Sequence, residues 1–101
     1  MDPLLQPIET YKLPIAFKAA DILLPPNQDW IFEIEKEVVS SVFIIEYQNL
    51  MMQLASEQFS RVLVVPANYL DAFPEDCHVV PTHGEAKDLI EMERIQRDLG
   101  F

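Results

Sequence analysis

The sequence predicts a single α/β domain with a mostly parallel or mixed sheet, and three observations carry that prediction. Short runs of β-branched and aromatic residues alternate with stretches at helical spacing. Half of the 101 residues are hydrophobic and only two are glycine, so the chain has enough apolar side chains for one core. No linker, internal repeat or low-complexity tract divides it, which makes residues 1–101 one domain, with 1–9 as a loose N-terminal arm. The expected order is β-β-α-β-α-β-α-β-α.

Residues 10–17, TYKLPIAF, place Tyr11, Leu13, Ile15 and Phe17 on one parity, the pattern of a half-buried strand. Pro14 has no N–H to donate and sends this strand to an edge, where an antiparallel or mixed pairing is expected. Ile22–Leu24 adds a short strand before Pro25 and Pro26. From Asn27 the spacing of Trp30, Ile31, Ile34 and Val38 reads as one helical face, with Asn27 or Asp29 as its cap. Val42–Tyr47, VFIIEY, has almost no alternation and reads as a central strand covered on both faces. Gln48–Phe59 returns to helical spacing, RVLVV at 61–65 is a second buried strand, and a short helix passes through Tyr69, Leu70 and Phe73. CHVV at 77–80 is the last strand.

The final stretch is the most fully specified. Thr82 and Glu85 have capping-box spacing, so a helix starts at about His83. Ala86, Leu89, Ile90, Met92, Ile95 and Leu99 form its apolar stripe, Glu93 and Arg97 an i,i+4 pair, and Gly100 a stop. Leu89, Ile90 and Ile95 are expected in the core, with Glu91 and Arg94 on a charged outer face.

Seventeen acidic residues against seven basic ones give a formal net charge of −10, which repels phosphate backbones and anionic lipid headgroups. Nucleic acid is therefore not expected as a partner, and no apolar run reaches the ~18 residues of a membrane span, so no membrane insertion is expected either. A start reading MDPLLQPIETYK is not the pattern expected of a secretory signal, and one cysteine makes no internal disulfide; a cytoplasmic protein is therefore expected. The acids are scattered as on an ordinary solvated surface, and they also suit steering toward a basic protein.

No residue pattern marks a catalytic, cofactor or metal site. Cys77, His78 and His83 are all zinc-ligand types, but their spacing fits no common structural zinc pattern and neighbours on a strand point to opposite faces. Cys77 follows Glu75 and Asp76, the wrong electrostatic setting for a reactive thiolate. Met51 and Met52 fit core packing as well as an adaptable surface. The residues expected to meet a partner are Trp30, near an exposed helix start, and Glu91 and Arg94.

VVPTHGEAKDLIEMERIQRDLGF, from Val79 to Phe101, resembles the C-terminal segment of small single-domain STAS proteins of the anti-sigma-factor-antagonist type. The resemblance rests on the Pro81–Thr82 start, on Glu85, Ala86, Asp88 and Ile90, and on an ending with Met92, Glu93, Arg97, Asp98 and Leu99. It implies a non-enzymatic protein–protein interaction domain of bacterial regulation. STAS antagonists switched by phosphorylation carry D-S/T-S-G after the central strand, at the start of the following helix. After VFIIEY this chain reads QNLMMQ, and Ser40 and Ser41 precede that expected strand. The reading is therefore a divergent member without the motif, in which Ser56 lies too far into the helix to serve. Two other classes fit the composition. One is a small α/β enzyme or ligand-binding domain using strand ends near Tyr47, Gln48, Pro66 and Asn68. The other is an acidic inhibitor or immunity-type protein that binds a basic target.

Overall fold

The computed structural model describes residues 6–56 and 58–100. Residues 1–5 of the expected arm, Glu57 and Phe101 lie outside the described residues. Its strands are β1 (Glu9–Leu13), β2 (Trp30–Ile34), β3 (Arg61–Val64) and β4 (Val79–Val80), and its helices α1 (Ser41–Gln53) and α2 (His83–Asp98). Two 3-10 turns, Ala19–Asp21 and Ala67–Ala72, complete the order. The four strands form one parallel sheet in chain order, β1-β2-β3-β4.

That order decides where everything else goes. Each connection moves one strand in the same direction, and right-handed crossovers that all step the same way must all lie on the same face. Ala19 and Ile22 from the first connection, Phe43, Tyr47, Leu50 and Leu54 from the second, and Phe73 from the third share one cluster with Leu13, Trp30, Phe32 and Leu63 of the sheet. The opposite face is left to α2, which places Ala86 and Ile90 on Ile31 and Val62. Period two in the strands supplies both layers, with Trp30 and Phe32 facing α1 and Ile31 between them facing α2.

The largest correction concerns residues 27–47, where helix and strand are exchanged. Trp30–Ile34 is a strand because both of its parities are apolar enough to bury: Trp30, Ile31 and Phe32 are all in the core. Val38, the far end of the helical reading, is exposed. Val42–Tyr47 is helical because Phe43, Tyr47, Leu50 and Leu54 recur at i, i+4, i+7 and i+11, and all four are buried. Burying that stripe outweighs the β-propensity of its valine and isoleucines. Ser40 caps the helix, its hydroxyl accepting the Phe43 N–H at 3.1 Å.

Smaller differences have local causes. β1 does lie at the edge and stops at Leu13, before Pro14, but it pairs parallel with β2. Ile22–Leu24 is not a strand: Ile22 is buried, while Leu23 is exposed. The helix expected to reach Phe59 ends at Gln53, and the expected short helix near Tyr69 is the 3-10 turn Ala67–Ala72. α2 starts at His83 with the Thr82 hydroxyl accepting the Glu85 N–H, although that hydroxyl, and not a backbone N–H, donates to the Glu85 carboxylate at 3.1 Å. Gly100 follows the helix at φ 83°, a left-handed conformation suited to glycine.

An aromatic group fills the α1 side. Phe32 and Tyr47 meet edge to face at 6.0 Å, as do Tyr47 and Phe73 at 6.2 Å and Phe17 and Phe43 at 5.2 Å. Tyr47 is fully buried and its hydroxyl has no hydrogen-bond partner among the described residues. A buried polar group left unpaired costs about 1–3 kcal/mol, so Tyr47→Phe is expected to raise stability by up to that amount in urea denaturation. A loss of stability would show that the hydroxyl is paired in solution. Burial, followed by the neighbouring Cys77, also pushes the Tyr47 phenol above its ordinary range. The unfolded tyrosine releases its proton near pH ~10 while the folded one keeps it. Above that pH the unfolded state binds fewer protons and stability falls as pH rises. Tyr47→Phe should flatten this alkaline decline relative to the parent protein.

Candidate functional site

The two ends of the sheet differ in chemistry. At the carboxyl end of β2 the chain runs through Glu35, Lys36 and Glu37 to Val38, Val39, Ser40 and Ser41, where α1 begins. Ser40 is in extended conformation and its hydroxyl is committed to the cap. Ser41 is exposed on the first turn, which contains no acidic side chain to answer its free N–H groups. Around the two serines the surface is apolar: Val38 is 53% exposed, Val42 63%, Ile45 55%, and Met52 further along the helix 70%. Val42, Ile45 and Met52 lie at i, i+3 and i+10, on the side away from Phe43, Tyr47 and Leu50. Glu46 accepts the Ala19 N–H at 2.9 Å and Gln53 donates to the Ala19 carbonyl at 2.9 Å, so the first 3-10 turn braces α1 and leaves that outer stripe uncovered.

Ser40 and Ser41 thus do not precede a strand, although the sequence suggests that they do. The segment after them is a helix and the segment before them is β2, an interior strand of the sheet. They therefore stand after a central strand, at the start of the following helix. The sequence reading places them before a strand because VFIIEY has almost no alternation. The signal was present as Ser40 three residues before Phe43, the first member of the 43, 47, 50, 54 stripe.

At the amino end of the strands lies a buried polar network. Asp29 is 3% exposed. Its Oδ2 accepts from Arg94 Nε at 2.6 Å, its Oδ1 accepts the Ser60 N–H at 2.5 Å, and Arg97 Nη2 is 3.7 Å from Oδ1. Arg97 Nη1 donates to Ser60 Oγ at 2.9 Å, and the Asp29 carbonyl receives the Glu9 N–H at 3.2 Å. Arg61 lies close by and donates to the carbonyls of Phe59 and Pro26; burial lowers its pKa, and the charge of Asp29 opposes that shift. The network pins the entrance to β3 and the last turns of α2 to the Asp29 carboxylate, and the start of β1 to the Asp29 carbonyl.

The residues named from the sequence are distributed as follows. Trp30 is buried in β2 with Nε1 donating to the Pro25 carbonyl at 3.1 Å, so its indole closes the core and presents no exposed helix start. Arg94 is buried against Asp29 and not on the outer charged face; Glu91 is exposed. Reversing the charge of Arg94 would set two carboxylates together in a buried site and is expected to destabilise the fold. The expected Glu93–Arg97 pair is replaced by Glu93 with His78 at 3.3 Å and by Arg97 with Asp29 and Ser60. Of the expected core residues of α2, Ile90 is buried, Leu89 half-buried and Ile95 half exposed.

Cys77 is buried, and burial followed by Asp76 pushes its thiol up, away from thiolate chemistry. His83 lies with Nε2 3.2 Å from Thr10 Oγ1. No cluster of three or more metal-ligating side chains forms among the described residues. Of the strand-end residues, Tyr47 is buried within α1, while Pro66 borders a shallow hollow with Lys12, Glu33, Ile34 and Pro81. No helix among the described residues is long and apolar enough to cross a membrane.

Fold and surface together define a four-stranded parallel α/β domain with one helix on each face and an uncovered apolar stripe on α1. The chain matches no family model, no curated protein and no solved structure compared with it.

Proposed function

We propose that this chain is a non-enzymatic STAS-like interaction domain of bacterial regulation that binds a partner protein through the start of α1. The observation that carries the reading is the β2–α1 junction, where Ser40 and Ser41 stand at the helix start beside exposed Val38, Val42 and Ile45. Its place relative to strand and helix matches the D-S/T-S-G position of STAS antagonists. Aligned with that motif, Ser40 and Ser41 would supply its two hydroxyls, with Val39 and Val42 in place of the aspartate and glycine. The replacement makes the junction more apolar and leaves the full motif absent. A formal charge of −10 favours a basic partner, whose approach the protein's field would speed.

Capture from the source cell with the parent protein and with Ile45→Asp tests this reading. A protein retained by the first and lost with the second supports it; equal retention by both sinks it. The serines give a finer prediction. Ser40 is occupied as the cap, so Ser41 is where negative charge can be added without uncapping α1. A carboxylate there faces the helix N-terminus, which favours anions by about 0.3–1 kcal/mol, and should leave the melting temperature unchanged or slightly raised. The same charge interrupts the apolar patch. Ser41→Glu is expected to weaken partner binding at least about tenfold, about 1.4 kcal/mol, whereas Ser41→Ala should leave it nearly unchanged. Equal affinities for both variants in a titration would remove the serine from the binding surface.

A further inference from the structure

We propose that the outward face of α2 is a second docking surface, separate from α1, and that its occupant is a basic amphipathic segment of a partner protein. Met92 and Ile95 are each 51% exposed and Leu99 64% exposed. They fall at i, i+3 and i+7, on the side of the helix opposite Ala86, Ile90 and Arg94, which the sheet buries. α2 thus carries two apolar stripes where packing in this chain uses one. A contiguous row of half-exposed large side chains is a different feature from a scattered leucine, and it fits a helix or extended segment laid along it.

The charges beside the row select the occupant. Exposed Glu85, Asp88 and Glu91 flank the stripe. Of the basic side chains on α2, Lys87 is exposed one turn before Glu91 and off the row, while the arginines are turned inward: Arg94 holds Asp29, and Arg97 reaches both Asp29 and Ser60. A second copy of the chain would bring these same acids against one another, with a formal charge of −10 on each molecule. A segment with apolar residues on one side and lysines or arginines beside them satisfies both parts of the surface. Because α1 and α2 cover opposite faces of the sheet, the two surfaces can be occupied at once, and this inference stands whether or not the α1 reading does.

The test is an NMR titration of isotope-labelled full-length protein with a synthetic amphipathic peptide bearing leucines on one helical face and lysines beside them. A scrambled isomer of the same composition serves as the comparison. Amide shifts centred on residues 85–99, at least about tenfold weaker binding of the scrambled isomer, and at least about tenfold loss with Ile95→Glu are expected. Leu99→Lys should act in the same direction, and both positions are exposed enough for the variants to remain folded by thermal melting. Ile45→Asp should leave this titration unchanged, which separates the surface from α1. Equal binding of both peptides, shifts centred on α1, or a self-associated protein that Ile95→Glu dissociates in sedimentation would each overturn the proposal.

Discussion

Asp29→Ala is expected to lower the free energy of unfolding by about 3–5 kcal/mol, the range for removing one partner of a buried ion pair. On a domain whose whole stability is of order 5–15 kcal/mol this is a large fraction of the total. The size follows from what is left behind. Arg94 would remain buried with a charge and no carboxylate at 2.6 Å, and the Ser60 N–H would lose its acceptor. Arg94 Nη2 already has no partner among the described residues, so the guanidinium has no second contact on that nitrogen to fall back on. The companion variant Asp29→Ala with Arg94→Met removes the stranded charge while keeping an apolar side chain along much of the same path, and should recover a large part of the loss. Urea denaturation of the single and double variants decides between the two accounts. A single variant within about 1 kcal/mol of the parent would mean that the pair is hydrated in solution and contributes as a surface bridge does.

The same network shows why parts of the molecule were legible in the sequence and others were not. α2 could be read from its ends, because Thr82 and Gly100 act within a few residues of themselves and need no knowledge of the sheet. Its interior could not. Arg94 and Arg97 have the spacing of a solvated face, and only the arrival of Asp29, 65 positions away from Arg94, turns them inward. Trp30–Ile34 and Val42–Tyr47 failed for a related reason. Both segments are so rich in apolar residues that periods of two and 3.6 can each be found in them, and the choice depends on which positions a neighbour covers. The overall class survived the exchange because swapping one helix with one strand leaves an alternating α/β pattern in place. The place of Ser40 and Ser41 at a strand-to-helix junction did not, since it depends on which of the two segments is the strand.

Phe32→Ala is the second large effect expected, a loss of about 3–5 kcal/mol in the same denaturation assay. Phe32 is fully buried at the middle of β2, an interior strand, and its ring meets Tyr11 at 6.3 Å, Trp30 at 6.2 Å and Tyr47 at 6.0 Å. Its neighbours have little freedom to close the hole. Trp30 is tethered through Nε1 to Pro25, and Tyr47 is held on a helix whose flank is fixed to Ala19 by Glu46 and Gln53. A site that cannot collapse pays the cavity term in addition to the lost transfer free energy. Phe32→Leu, which keeps most of the volume, should cost much less. The pair also tests the strand assignment itself. If residues 30–38 formed the helix that their spacing first suggests, with Trp30, Ile31, Ile34 and Val38 inward, Phe32 would lie off the buried face and its truncation would cost within about 0.5 kcal/mol. In that arrangement Val38→Ala would be the damaging change. With β2 as a strand the order is reversed: Phe32→Ala damages the core, and Val38→Ala, at a position 53% exposed, leaves stability nearly untouched.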